Sequence, residues 1–164
     1  MGKRKQLLKG IFFVYILVML WLLFARHHFY SGIGYWDDVR KNFNGTFLYS
    51  IKQYLRILFL GANPDYYRYA FINFFGNIVL FVPAGFLCPL IWKKARNLLR
   101  FLPLFMASIV LVEVLQLFTL RGSCDVDDLF LNTLGALLGW IFWRKISLDQ
   151  RKKKTRGKGK KATA

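Results

Sequence analysis

The feature that most constrains this chain is a series of long uncharged stretches bounded by charged residues. Residues 10–25, 69–92 and 129–143 carry no charge, and residues 101–120 carry one, Glu113. A transmembrane helix needs about 20 mostly apolar residues, so the pattern predicts four spans, at about 7–25, 69–92, 101–120 and 129–143. The fourth is short, because 15 residues of helix reach only about 22 Å. Core helices of a soluble bundle would show a polar stripe, which residues 11–25 and 78–92 lack.

The positive charge lies mainly in the two terminal segments and in the connection between the second and third predicted spans. The sequence has 25 Lys and Arg residues against 8 Asp and Glu, a formal net charge of +17. Eighteen of these cations fall in residues 1–9, 93–100 and 144–164. Because Lys- and Arg-rich connections stay in the cytoplasm, we predict a multi-pass protein of the cell membrane with both termini cytoplasmic. No nucleic-acid-binding fold accompanies the charge, so we expect no nucleic-acid partner.

The remaining segments complete the predicted architecture, an all-α polytopic membrane domain over residues 1–143. Residues 46–60 show the spacing of an amphipathic helix in the outer interface, which either guides substrate as a lid or packs on the bundle. Residues 144–164 form a low-complexity basic tail, predicted to be cytoplasmic, disordered and close to anionic lipid headgroups. His27 and His28 are adjacent at the end of the first span, which favours an interfacial position over a metal site.

Polar side chains inside the spans are the candidate functional residues, because each is costly in a bilayer. At about 1.5 Å per residue, Glu113 lies about 12 Å below Arg121, and Asn77 about 13 Å below Arg68. The polar set therefore falls in the outer half and predicts one outward-facing pocket; the alternative is a hydrogen-bonded network that only joins helices. Its members are Asn73, Asn77, Glu113, Gln116, Arg121, Asp125, Asp127, Asp128 and Asn132.

Small residues follow the polar set along the fourth span. Gly135 and Gly139 form a G-x-x-x-G pattern on the same stripe as Asp128 and Asn132. Small residues at this spacing let two helix backbones approach closely. We therefore predict close helix packing directly below the pocket.

These residues carry a resemblance to a known family. The motifs are Asn77-x-x-x-Phe81-x-Pro83-x-Gly85-Phe86, Glu113-x-x-Gln116, and Arg121-x-x-x-Asp125-x-Asp127-Asp128-x-x-x-Asn132-x-x-Gly135-x-x-x-Gly139. Over residues 70–140 the chain resembles the VanZ-like family of small bacterial membrane proteins. Family members commonly have an apolar or aromatic residue where this chain has Gly122-Ser123-Cys124, so the mouth of the site differs. The resemblance implies a cell-envelope role and, through the founding member, glycopeptide (teicoplanin-type) resistance.

Two mechanisms suit these residues. In the first, the protein is a metal-dependent hydrolase or transferase acting on the headgroup of a membrane lipid or lipid-linked envelope precursor. The catalytic residues would be Glu113, Asp128 and Arg121, with Arg121 holding a phosphate. Substrate would be bound by Asn77, Gln116 and Asn132. Mg²⁺ or another divalent cation would be bound by Asp125, Asp127 and Asp128. In the second, the pocket binds such a headgroup, or the glycopeptide, without turnover. A small transporter is a third alternative, although the chain shows no internal repeat.

Overall fold

The computed structural model describes residues 2–25, 31–32, 34–61 and 63–162, with the backbone alone for residues 151–162. His27 and His28 lie outside the described residues. The helices are α1 Lys3–Phe24, α2 Tyr35–Lys41, α3 Tyr49–Leu60, α4 Pro64–Ile91, α5 Leu98–Phe118 and α6 Val126–Ala162. Two-residue strands, β1 Phe43–Asn44 and β2 Cys124–Asp125, pair in parallel, and a 3-10 helix covers Lys93–Arg96. The chain is therefore mainly helical, as predicted.

Among the described residues, three helices, α1, α4 and α5, are long and apolar enough to cross a membrane. They correspond to the first three predicted spans. On α1 only Met19 is buried, whereas Phe13 is 63% and Trp21 68% exposed. Exposed apolar surface on this scale is typical of a helix that faces lipid. Helix α6 is not among the three, since it begins beside Asp127 and Asp128 and ends in a basic stretch, so the fourth span stays a prediction.

The basic stretch after residue 143 differs from its expected form. Where charge and low complexity predicted disorder, the backbone is helical without a break from Val126 to Ala162. Lys and Arg have high helix propensity, and residues 144–162 contain no proline. Residue 143 thus marks a change of composition along α6 and not the end of the helix.

Helices α4 and α6 pack with their backbones almost in contact. A Cβ atom on Gly135 would lie 2.0 Å from the carbonyl oxygen of Ile78, and one on Gly139 would lie 2.0 Å from that of Val82. From the other side, a Cβ atom on Gly85 would lie 1.9 Å from a backbone oxygen of α6. No larger side chain fits at these positions, so the predicted close packing through the G-x-x-x-G pattern is confirmed.

The helices alternate in direction, which gives the bundle two different ends. Gln116 near the end of α5 contacts Leu23 near the end of α1, and Asn77 in the first half of α4 contacts Asp128 at the start of α6. We call this end, which also includes α2, α3 and both strands, the site end. The opposite end, with the start of α1, the 3-10 helix and Arg144, is the basic end. All the candidate residues of the pocket lie at or near the site end.

Candidate functional site

Asp125 holds the start of α6 and joins it to the segment before α3. Its Oδ1 accepts from the backbone N–H of Asp127 at 2.9 Å, as an N-cap side chain does. Its Oδ2 accepts from the Ser50 hydroxyl at 2.5 Å and from the Asn44 amide at 3.1 Å. These bonds tie the start of α6 to β1 and to the first turn of α3, which gives this carboxylate an architectural role.

Asp127 anchors the N-terminus of α3. Its side chain is fully buried, and its two oxygens accept from the backbone N–H groups of Leu48 at 2.6 Å and Ile51 at 3.1 Å. Leu48 precedes the helix in the left-handed conformation, at φ 63°. The first N–H groups of a helix have no partner within it and favour a negative charge. Asp127 supplies both the acceptors and the charge from another helix.

The three aspartates are not brought together as a metal site. Within the described part of the chain, no three His, Cys, Asp or Glu side chains are grouped so as to hold a metal ion. Asp125 and Asp127 each satisfy donors from the segment around α3, while Asp128 accepts from α4. Consecutive helix positions are rotated by about 100°, so Asp127 and Asp128 face different neighbours. The structure gives the predicted Mg²⁺ site no support.

Asp128 and Asn77 form the central polar contact between α4 and α6. The Asn77 amide donates to Asp128 Oδ1 at 2.6 Å, and both residues are half-buried. The contact lies above Gly135, where the two backbones meet, so both helices are held in register at this level. The structure thus brings together two residues that the sequence places 51 positions apart.

Glu113 reaches the same region from α5. It is buried, and its Oε2 accepts from the backbone N–H of Asp125 at 3.4 Å. The neighbouring thiol reports the local electrostatics: burial first, and then the charges of Glu113, Asp125 and Asp128, raise the pKa of Cys124 above its ordinary value. The carboxylates of α5 and α6 therefore create a negative potential beneath the 121–125 connection.

Tyr54 of α3 is a site residue that the sequence reasoning missed. It is buried, its ring packs edge-on against Tyr69 at 6.1 Å, and burial followed by the charge of Asp128 raises its pKa. The phenol therefore stays protonated and remains a hydrogen-bond donor. In the sequence Tyr54 appears as one apolar position of an amphipathic helix. Its hydroxyl, a polar group on the apolar face of that helix, could have marked it as a candidate.

Gln116 and Arg121 close the C-terminal end of α1. The Gln116 amide donates to the carbonyl of Leu23 at 2.8 Å, and the Arg121 guanidinium donates to that of Phe24 at 3.0 Å. The last carbonyls of a helix lack intrahelical partners and favour a cation. Both residues lie at the site end, and the sequence did not indicate their bonds to α1.

Asn132 lies one helical turn below Asp128 and is 3% exposed. Its Oδ1 has no hydrogen-bond partner among the described residues, and neither has the buried hydroxyl of the adjacent Thr133. A buried polar atom without a partner costs about 1–3 kcal/mol. Asn132 shares its stripe with Gly135 and Gly139, which face α4, so this acceptor lies on the side of α6 that carries Asp128.

Comparison with known proteins identifies the family of this chain. The family model VanZ/LLP1 matches residues 12–148. The chain belongs to the VanZ/LLP1 family. It is 25% identical to Protein VanZ of Enterococcus faecium over 138 residues, which cover 82% of this chain and 72% of that protein. No solved structure matches the chain.

The VanZ/LLP1 match covers more than the motif region that carries the resemblance. It includes α1 and the 31–61 segment as well as α4 to α6. That segment supplies Asn44, Ser50 and Tyr54, whose contacts with α6 and α4 complete the site. Sequence separation hides such contacts, because Ser50 and Asp125 lie 75 positions apart.

Proposed function

We propose that this VanZ/LLP1-family protein spans the bacterial cell membrane with both termini in the cytoplasm, so that the site end faces outward. The distribution of charge supports this orientation, since Lys and Arg concentrate at the basic end. Residues 129–143 of α6 form a short fourth span beside α4. Helix α3 lies in the outer interface, where its exposed Phe59 and Leu60 meet lipid.

We further propose that the site end binds the polar headgroup of a lipid or lipid-linked envelope precursor, and that the protein thereby contributes to glycopeptide (teicoplanin-type) resistance. The unpartnered Oδ1 of Asn132 carries this proposal. It lies beside the Asn77–Asp128 contact, in a region where Glu113 adds a second carboxylate. A hydroxyl, amide or ammonium group of a ligand would satisfy it and recover the cost of its burial.

Each residue then has a distinct role. Asp128, oriented by Asn77, and Glu113 accept from the headgroup, and Tyr54 closes the pocket from α3. Arg121 donates one N–H to α1, and a guanidinium has five donors, so it can also hold a phosphate oxygen. Asp125 and Asp127 keep α3 in place.

Turnover of the bound headgroup is the second candidate. It is favoured by the burial of Glu113 within reach of the Cys124 loop, because a buried carboxylate is the kind of group that acts as a general base. The lipid and precursor profile of the cells separates the candidates. An enzyme changes one headgroup species when active, whereas a binding protein leaves the profile unchanged.

The decisive experiment compares Glu113→Gln and Asp128→Asn with Asp37→Asn, which alters an exposed acid of α2. We expect all three proteins to accumulate in the membrane. Teicoplanin susceptibility should rise to the level of cells without the protein for the first two and stay at wild type for the third. Full resistance with both site variants would show that the polar set only joins helices.

Orientation needs its own test, with single cysteines in a background lacking Cys88 and Cys124. Ser123→Cys at the site end and Gln150→Cys at the basic end are both exposed positions. A membrane-impermeant thiol reagent should label the first in intact cells and the second only after permeabilisation. The reverse pattern would place the pocket in the cytoplasm.

A further inference from the structure

A cavity lies at the basic end, remote from the site described above. It has a volume of about 950 Å³ and lies between the start of α1, the 3-10 helix with the start of α5, and the middle of α6. Its floor includes Trp140 and Trp143, both buried. The volume lies within the range of about 300–1,000 Å³ common for small-molecule sites.

Four cations line this cavity: Arg4, Lys5, Arg96 and Arg144. No acidic residue lines it, and Asp149 is the one acid in residues 2–25, 92–101 and 140–162. Among the residues that the structure describes, none of the four has a carboxylate partner. Like charges gathered without a counter-charge repel one another, so an anion in the cavity would lower the energy of the arrangement.

Two of the arginines are already positioned. Arg96 Nε donates to the carbonyl of Pro89 at 3.1 Å, which directs the rest of its guanidinium away from that bond. The Arg144 guanidinium lies over the Trp140 ring at 5.3 Å, and Trp140 Nε1 is held by the carbonyl of Ala95 at 3.0 Å. Arginines fixed in this way lose little entropy on binding an anion and suit the geometry of phosphate.

The wall of the cavity is apolar and continues onto the outer surface of the bundle. Leu8, Leu98 and Leu148 line it, together with Leu99, which is 84% exposed. A free inorganic phosphate would gain nothing from these leucines. A phospholipid would place its phosphate among the arginines and the first part of its acyl chains on the leucines.

We infer that this cavity is a specific binding site for one anionic phospholipid from the leaflet that faces the basic end. The inference is independent of the proposed function, because the two sites share no residue. It also differs from diffuse attraction of a basic surface to anionic lipid, since it requires the particular arginines of the cavity.

The test uses the full-length protein, delipidated in detergent, with phosphatidylglycerol as the probe. Binding is followed by native mass spectrometry and by the rise in thermal midpoint. The site variant is Arg96→Gln/Arg144→Gln. Its control is Lys94→Gln/Lys145→Gln, which removes the same charge at the same end from exposed lysines that do not line the cavity. Ser147→Phe fills the cavity and keeps every charge, so it guards against misfolding of the double-arginine variant.

We expect phosphatidylglycerol to stabilise the wild type, and phosphatidylcholine and glycerol phosphate not to do so. The affinity should fall about tenfold or more in Arg96→Gln/Arg144→Gln and Ser147→Phe, and less than about twofold in the lysine control. Equal losses of affinity in the arginine and lysine variants would show that phosphatidylglycerol binds through surface charge alone. Unchanged binding in Ser147→Phe would show that the cavity is not the binding site. Equal stabilisation by glycerol phosphate would show that the occupant is not a lipid.

Discussion

Replacing Asp127 with alanine tests the assignment of this residue to the support of α3. The substitution removes the acceptors of the Leu48 and Ile51 N–H groups, of which the first is partly buried and the second buried. Hydrogen bonds to a charged group contribute roughly 1.5–3 kcal/mol each, and relief of the buried charge offsets part of the two. We therefore expect the docking of α3 to weaken by about 3 kcal/mol, which corresponds to an opening equilibrium roughly 100-fold larger.

Hydrogen exchange measured by mass spectrometry gives this quantity directly. Peptides covering residues 47–60 should exchange about 100-fold faster in Asp127→Ala, while peptides from α5 keep their wild-type rate. The matched control is Asp65→Ala, which removes an exposed acid from the first turn of α4. It should cost only about 0.3–1 kcal/mol through the helix dipole. Equal exchange of α3 in the two variants would refute the anchoring of α3 by Asp127.

Three further predictions concern other contacts of the site. Gly135→Ala should destabilise the protein by about 1–3 kcal/mol or more in thermal unfolding, because its Cβ would lie 2.0 Å from a carbonyl oxygen. Gly10→Ala, in open space, should be neutral or stabilising by up to about 1 kcal/mol; similar losses in both would contradict the close packing of α4 on α6. A double-mutant cycle with Asn77→Ala and Asp128→Asn should give a coupling energy of about 1.5–3 kcal/mol, and additive effects would mean that the contact contributes nothing. Cys124 should react with a thiol reagent with a midpoint above the ordinary thiol pKa. Since the charge of Glu113 contributes to raising that pKa, Glu113→Gln should move the midpoint to lower pH. An unmoved midpoint would mean that the charge of Glu113 does not act on the Cys124 thiol.

The apolar framework was predictable from the sequence because it depends on local composition. Uncharged stretches located α1, α4 and α5 within a few residues, and the G-x-x-x-G pattern identified the face of α6 that meets α4. The rule behind both is short-range: a helix that is apolar over about 20 residues needs lipid or protein around it, and small residues mark where backbones approach.

The different hydrogen-bond partners of the three aspartates were not predictable in the same way. Asp125, Asp127 and Asp128 have the spacing of a metal-ligand set, but most of their partners are donors far away in the sequence. Asp127 meets N–H groups of the α3 N-terminus, a feature defined by backbone conformation and not by any side chain that the sequence displays. The placement of α3 against α6 decides that Asp125 and Asp127 bind donors of the fold itself.

These contacts favour a fixed part of the bundle over a movable lid as the role of α3. To lift away, α3 would break both bonds to Asp127 and the bond from Ser50 to Asp125, and expose the buried Ile51 and Tyr54. At about 3 kcal/mol for the Asp127 bonds alone, the open form is populated below about 1%. Under the proposed function, the headgroup therefore enters between the helices from the membrane side, while α3 stays in place.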